Sequence, residues 1–373
     1  MYRGVMVPVA AAMLLLAGCG SGGAGTTASA QPSQAEQTGR AGQTGQTAKK
    51  IALFLPESKT TRYEAFDRPL FEAKVKALCA TCEILYSNAD QDAAKQQQQV
   101  EAAITQGANV LVLDAVDAAA VAPLVNQAKQ KQIPVIAYDR LISGIDYAYY
   151  VSFNNVRVGE MQGQALLDAL DAKGTTAKGE IVMIHGSPTD PSSADYKKGA
   201  KSVLDGKVKV GREFDTPDWS PDKAQQQMEQ AITALGRDKI VGVLSANDGM
   251  AGGAIAAMKR AGYAPLPPIT GQDAELAAIQ RILTGEQHMT IYLNIRAEAE
   301  KSAELAVALA NGETPQAPAK VNNGAADIPA FLLDPIPVTA GKVKDTIVKD
   351  GFYTVEQICT AEVKAACEKN GIQ

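Results

Sequence analysis

The chain has 373 residues, 46% of them hydrophobic and 21% charged, with a formal net charge of −5. That length suits about two globular domains, and the balance is an ordinary globular one. The acidic balance, with no basic cluster anywhere, argues against nucleic acid as a partner.

Arg3 precedes the apolar run Val5 to Leu16. The run is too short to span a bilayer and reads as an export signal. It ends in Leu16-Ala-Gly-Cys19, which resembles a bacterial lipoprotein signal. That resemblance implies a signal peptide over residues 1–18, cut before Cys19, with a lipid on Cys19. The alternative is a plain secretory signal whose Cys falls at the cleavage site. Gly18-Cys-Gly20-Ser-Gly-Gly23 has dinucleotide-fingerprint spacing, but it follows no strand and opens no helix, so no nucleotide site is read from it. Residues 19–48 are Gly, Ser, Thr, Gln and Ala almost throughout. Such a composition buries too little apolar surface to order itself and is expected to be a flexible tether. No second apolar span follows. The mature protein is expected to be anchored on the outer face of the cell membrane, or in the periplasm, without crossing the bilayer.

From Ile51 the pattern alternates. Ile51 to Leu55 reads as a buried strand, and Phe71, Val75 and Leu78 recur at helical spacing. Ile84–Tyr86 and Val110–Leu113 read as strands, the second ending in Asp114. Ala93–Gln106 and Ala118–Gln132 read as helices, and Ile133–Asp139 as the next strand. Tyr149–Phe153 is one more extended run. A second series follows: helices over Val158–Ala172, Tyr196–Leu204, Pro221–Leu235, Met250–Ala261, Glu275–Thr284 and Arg296–Asn311. Between them lie strands over Ile181–Ile184, Val208–Phe214, Ile240–Leu244 and Met289–Asn294. Strands alternating with helices of this length predict βαβ units and parallel sheets, and there are too many strands for one small sheet. Two similar α/β halves with a site between them fit the pattern.

Cys19 aside, the cysteines fall in two close pairs, Cys79 with Cys82 and Cys359 with Cys367. An exported chain tolerates disulfides, so two local bridges are expected. A redox Cys-x-x-Cys is the other reading of the first pair. That pair ends an amphipathic helix, however, whereas it is a helix N-terminus that lowers a thiol pKa. A four-Cys zinc site would want two short knuckles, and the second spacing is too long. No metal or cofactor is expected.

Several strands end in polar side chains: Lys59 to Tyr63 after the first, then Asp139-Arg140, Asn154, Asn247 and Asp273. Ligands of open parallel sheets sit beyond the carboxyl ends of the strands. An Asp that accepts beside an Arg that donates from a rigid fork can grip a neutral polyol from both sides. A surface ion pair capping a strand is the other reading of Asp139-Arg140. Trp219, the only tryptophan, lies in a loop, as does Tyr63. A loop aromatic either seals a core edge or stacks on the C–H face of a sugar. There is no H-E-x-x-H, Walker or G-x-S-x-G motif. Asp139 with Asp273 could imitate a glycosidase carboxylate pair, but Arg140 would hold Asp139 ionised, where such a pair needs one carboxyl protonated. His185 at a strand end reads as a hydrogen-bonded structural residue.

Ile133-Pro-Val-Ile-Ala-Tyr-Asp-Arg140, Tyr150-Val-Ser-Phe-Asn-Asn155, Gly186-Ser-Pro188, Ser245–Ala254, Gly271-Gln-Asp-Ala274 and Met289-Thr-Ile-Tyr292 together resemble the D-xylose-binding proteins of bacterial ABC importers. Val321–Gly324 and Ile347–Phe352 also fit. The resemblance implies an α/β chain of two Rossmann-like lobes, the type I periplasmic binding protein arrangement, joined by a three-segment hinge that closes on a sugar. One lobe would comprise residues 49–154 and 293–335, the other 155–292 and 336–356, followed by an extension over 357–373. It implies sugar contacts from Asp139, Arg140, Asn247 and Asp273, stacking by Trp219, and contacts from Lys59, Arg62 and Tyr63. Asn154, also expected at the sugar, stands where relatives have Asp. Pro191-Ser192, Ala194 and Leu293 depart from the family pattern too, each change stripping a polar contact from the cleft.

The function so implied is a non-enzymatic, lipid-anchored, monomeric receptor handing a monosaccharide, D-xylose first, to ABC importer permease subunits. A receptor for glucose, galactose or arabinose serving a sensor is the alternative, and a sugar-converting enzyme the remote one. A DNA-binding sugar repressor would share the lobes, but here an export signal stands where its helix-turn-helix would be.

Overall fold

The computed structural model describes residues 48–373. The expected signal peptide, Cys19 and the tether lie outside the described residues, apart from Ala48. The first half alternates β1 (Lys50–Leu55), α1 (Arg68–Leu78), β2 (Glu83–Asn88), α2 (Ala93–Thr105), β3 (Val110–Leu113), α3 (Ala122–Gln130), β4 (Val135–Tyr138) and β5 (Tyr149–Phe153). The second half runs α4 (Asn155–Ala172), β6 (Glu180–His185), α5 (Pro191–Leu204), β7 (Lys209–Asp215), α6 (Pro221–Leu235), β8 (Ile240–Ser245), α7 (Asp248–Arg260), α8 (Leu276–Thr284) and β9 (Thr290–Tyr292). The chain then returns through α9 (Ile295–Ala310), β10 (Ala319–Asn322), β11 (Asp327–Leu333) and β12 (Ile336–Val338), and ends in α10 (Val355–Ile358) and α11 (Lys364–Lys369).

Seven strands form one sheet in the order β10-β11-β5-β4-β3-β1-β2, all parallel except the β10 edge. Its central strands are buried on both faces, which is why Ile51–Leu55 and Val110–Leu113 are unbroken apolar runs. A second parallel sheet, β7-β6-β8, is extended by a bridge from Val243 to Ile269. β9 and β12 form an antiparallel pair of their own. The chain thus passes between the sheets after β5, after β9 and after β11. The β10–β11 hairpin was not foreseen from the pattern: Pro329 interrupts β11, and proline within a run reads against a strand.

Both expected disulfides form. Cys79–Cys82 staples the turn after α1, and Cys359–Cys367 ties α10 to α11. Residues 357–373 are no loose tail. Ile358, Cys367 and Ile372 are buried against Ile279 and Leu283 of α8.

Helices α4 and α5 pack at glycine contacts. A Cβ on Gly159 would come within 2.0 Å of the Tyr196 carbonyl, and one on Gly199 within 2.0 Å of the Val156 carbonyl. That close approach sets the spacing of the two helices near Tyr196.

Candidate functional site: a polar cavity between two sheets

Twelve residues line one cavity. All follow the carboxyl ends of parallel strands or sit at the helix starts beyond them, where an open α/β sheet binds ligands. Thr60, Arg62 and Tyr63 come from the turn after β1, and Asp139 and Arg140 from the end of β4. Asp190, Ser192 and Tyr196 come from the start of α5, Trp219 from the loop before α6, Asn247 from the start of α7, and Gln272 and Asp273 from the loop before α8. Seven of the sequence-predicted residues therefore meet: Arg62, Tyr63, Asp139, Arg140, Trp219, Asn247 and Asp273.

Two predicted residues do not reach the cavity. Lys59 is exposed and is not among the lining residues. Asn154 is also exposed, and its side chain caps α4 by accepting from the Arg157 N–H at 3.1 Å. The polar group at that strand end serves the helix, as Asn commonly does at an N-cap. Leu293, one of the departures, is a buried core residue and is not among those lining the cavity. Ser192 does line the cavity, and its hydroxyl takes a hydrogen bond from Asn155 at 3.1 Å, so this position keeps a polar contact.

The wall is preorganised by buried charge. Arg62 donates to Asp67 through Nε at 3.0 Å and Nη2 at 2.7 Å, to Glu298 at 2.5 Å, and to Asp139 at 3.2 Å. Asp139 takes a second bond from the Tyr63 hydroxyl at 2.9 Å. Its backbone is left-handed at φ 58°, held there by the Tyr150 and Ser152 hydroxyls donating to its carbonyl. Such strain persists where the surroundings over-determine it. Arg140 lies between Asp114, at 3.5 Å, and Asp190, at 3.1 Å. Asn247 accepts the Met250 N–H through Oδ1 at 2.9 Å, which leaves its NH₂ donors for the cavity. Asp273 is buried at φ 90°, its carboxylate contacting only Gln272 Nε2, at 3.3 Å, among the described residues.

Six carboxyl groups (Asp67, Asp114, Asp139, Asp190, Asp273 and Glu298) thus surround two guanidiniums. Burial pushes Asp114, Asp190 and Glu298 upward against the pull of the nearby arginines. Burial lifts Asp273 to about 7, with Arg62 opposing and Glu275 adding. The wall therefore offers more carboxyl oxygens than cations, which suits a neutral ligand rich in hydroxyls better than an anion. His185, by contrast, lies outside the cavity and is buried with its Nε2 3.3 Å from Glu213. Burial and Lys197 hold it at about 4, so it is neutral at physiological pH.

Asp190, Tyr196 and Gln272 were not foreseen as lining residues, whereas Thr60 lies within the strand end Lys59 to Tyr63 and Ser192 at a position expected in the cleft. Asp190 carried one legible signal, an Asp before Pro191 at a helix start.

Residues 51–314 match the family described as the periplasmic binding protein domain. The D-xylose-binding periplasmic protein of Haemophilus influenzae is 38% identical over 314 residues, 83% of this chain and 92% of that protein. That of Escherichia coli is 37% identical, with the same coverage. A solved ABC transporter solute-binding protein of Clostridium phytofermentans with bound β-D-glucose superposes with a TM-score of 0.77 at 30% identity, over 83% of this chain and 100% of that one.

Proposed function

We propose, from the premise that this chain belongs to the periplasmic binding protein family, that it is the monosaccharide receptor of an ABC importer, with D-xylose the first candidate ligand. Its two helix-flanked parallel sheets are the type I fold of that family. The observation that carries the reading is the convergence of Asp139, Arg140, Asn247, Asp273 and the Trp219 ring, from both sheets, on one cavity with more acceptors than cations. A pyranose has a rim of hydroxyls and a C–H face, and this wall answers both. The D-xylose of the two similar binding proteins and the β-D-glucose of the similar solved structure support an aldose.

Residues 49–154 with 293–335 and residues 155–292 with 336–356 serve as two lobes hinged at the three passages between the sheets. The lobes close on the sugar, and the permease prefers the closed form, a population shift by differential affinity. The protein is exported and held to the membrane by a lipid on Cys19. It works as a monomer and turns nothing over.

Calorimetry with D-xylose, D-glucose, D-galactose, L-arabinose and xylitol tests the reading. Saturable 1:1 heat with at least one aldose, with the sugar recovered unchanged, is expected. No heat with any of them, or product formation, overturns it.

A further inference from the structure

We propose that Asp190 is a positioning residue whose carboxylate fixes the Trp219 ring and the Arg140 guanidinium together, so that orienting the aromatic plate and joining the two walls of the cavity are one event. The inference rests on the sugar-receptor reading of this cavity.

Asp190 is buried, and both its oxygens are engaged. Oδ1 accepts the Ser192 N–H at 2.9 Å, which caps α5. Oδ2 accepts the Trp219 Nε1–H at 3.2 Å and lies 3.1 Å from Arg140 Nε. Trp219 and Asp190 follow strands of the three-stranded sheet, whereas Arg140 follows β4 of the seven-stranded one. One carboxylate oxygen therefore touches both sides of the cavity.

The Trp219 ring needs holding. Asp218 and Trp219 are consecutive left-handed residues, at φ 61° and 53°. The indole lies flat over Gly186, where any Cβ would come within 2.0 Å of the ring. Tyr196 meets it edge-to-face, with centroids 6.2 Å apart. Gly186 and Tyr196 confine the ring by shape, but only Asp190 bonds its one polar atom.

No other side chain serves this place. An Asn has one acceptor oxygen and one donor nitrogen. Either way round, its NH₂ would face an N–H donor: Ser192 in one orientation, Trp219 and Arg140 in the other. A Glu is one methylene too long for the helix cap.

Trp219 is the only tryptophan, so tryptophan emission reports the surroundings of this one ring. The test measures sugar affinity and Trp219 emission in the full chain for wild type, Asp190→Asn and Trp219→Phe, and affinity in the double variant. Wild type is titrated first: if it binds no sugar, the receptor reading fails, and the emission of sugar-free Asp190→Asn still judges the positioning role. Asp190→Asn is expected to weaken affinity at least tenfold and to shift the sugar-free emission. In the Trp219→Phe background, where the N–H is gone, the same change is expected to cost markedly less. Should Asp190→Asn fail to fold, benzothienylalanine in place of Trp219 decides, because this sulfur isostere keeps the bicyclic plate and removes only the N–H that bonds Asp190. It is expected to weaken binding. Unchanged emission and affinity in Asp190→Asn, equal losses in both backgrounds, or full affinity with benzothienylalanine in place of Trp219 overturns the proposal.

Discussion

Arg62 Nη1 lies 3.2 Å from Asp139 Oδ1, and this contact is the cavity end of a buried chain that runs back through Arg62 to Asp67 and Glu298. Among the described residues, Arg62 is the cation that bonds all three carboxylates. Arg62→Ala leaves them facing one another out of water. Breaking a buried pair by removing one partner costs about 3–5 kcal/mol. Urea unfolding of the sugar-free protein is therefore expected to show a loss of that order, and Asp139, freed from its partner, to bind sugar more weakly. A loss within the ~1 kcal/mol typical of an exposed pair would mean that the chain is hydrated in solution.

The strand ends were legible because a parallel sheet needs apolar strands and exposes polar groups only at their tips. Asp139-Arg140, Asn247 and Asp273 all stand where an apolar run stops. What that grammar cannot tell is which polar tip turns inward. Asn154 also ends a strand, but the next residue starts α4, and the helix claims its side chain. Lys59 lies in a turn whose buried members are Glu57 and Thr60, an orientation set by Glu57 accepting the Thr60 N–H at 3.0 Å. Tyr196 was missed for the opposite reason: it sits inside a helix, where polar residues ordinarily face water, and the close packing of α5 on α4 at Gly159 and Gly199 accompanies its turn toward the cavity.

If Asn154 is a helix cap alone, Asn154→Ala should cost about 1 kcal/mol of stability. Its sugar affinity should stay at the wild-type value, as should that of Lys59→Ala. Thermal melting and calorimetry on the same samples separate the two effects. A weakened affinity in either variant would place that residue at the ligand after all.

Trp219→Ala removes the aromatic plate as well as its N–H. By analogy with base–aromatic stacking, the loss in sugar binding should be about 1–3 kcal/mol. Calorimetry with the best-bound aldose reads it directly. An unchanged affinity would mean that Trp219 only seals the edge of the core.

The two disulfides close short loops, with sequence separations of 3 and 8, and none of their cysteines lines the cavity. Such cross-links act mainly on the unfolded chain and are worth about 1.5–2.5 kcal/mol each at these loop lengths. Mild reduction should lower the unfolding midpoint while leaving sugar affinity intact at room temperature. Lost affinity in a protein that is still folded by circular dichroism would tie one of the bridges to the geometry of the site.

Asp273 gives the sugar-free protein a pH signature with a definite sign. Its folded carboxyl is lifted to about 7, mainly by burial, against about 3.9 in an unfolded chain. Between those values the folded state keeps a proton that the unfolded chain has released, so this group erodes stability as pH rises from about 4 to about 7 and adds nothing further above that. Asp273→Asn is neutral throughout and lacks the slope. Its stability relative to wild type should therefore climb across that window, by on the order of 2–4 kcal/mol, and then level off. His185 acts with the opposite sign. Held at about 4 when folded, it costs stability as pH falls below its unfolded value of about 6.5, but both proteins carry it and it cancels in the difference. Parallel urea titrations at four pH values spanning the window measure that difference, and a flat result would mean that Asp273 is already ionised in the folded cavity.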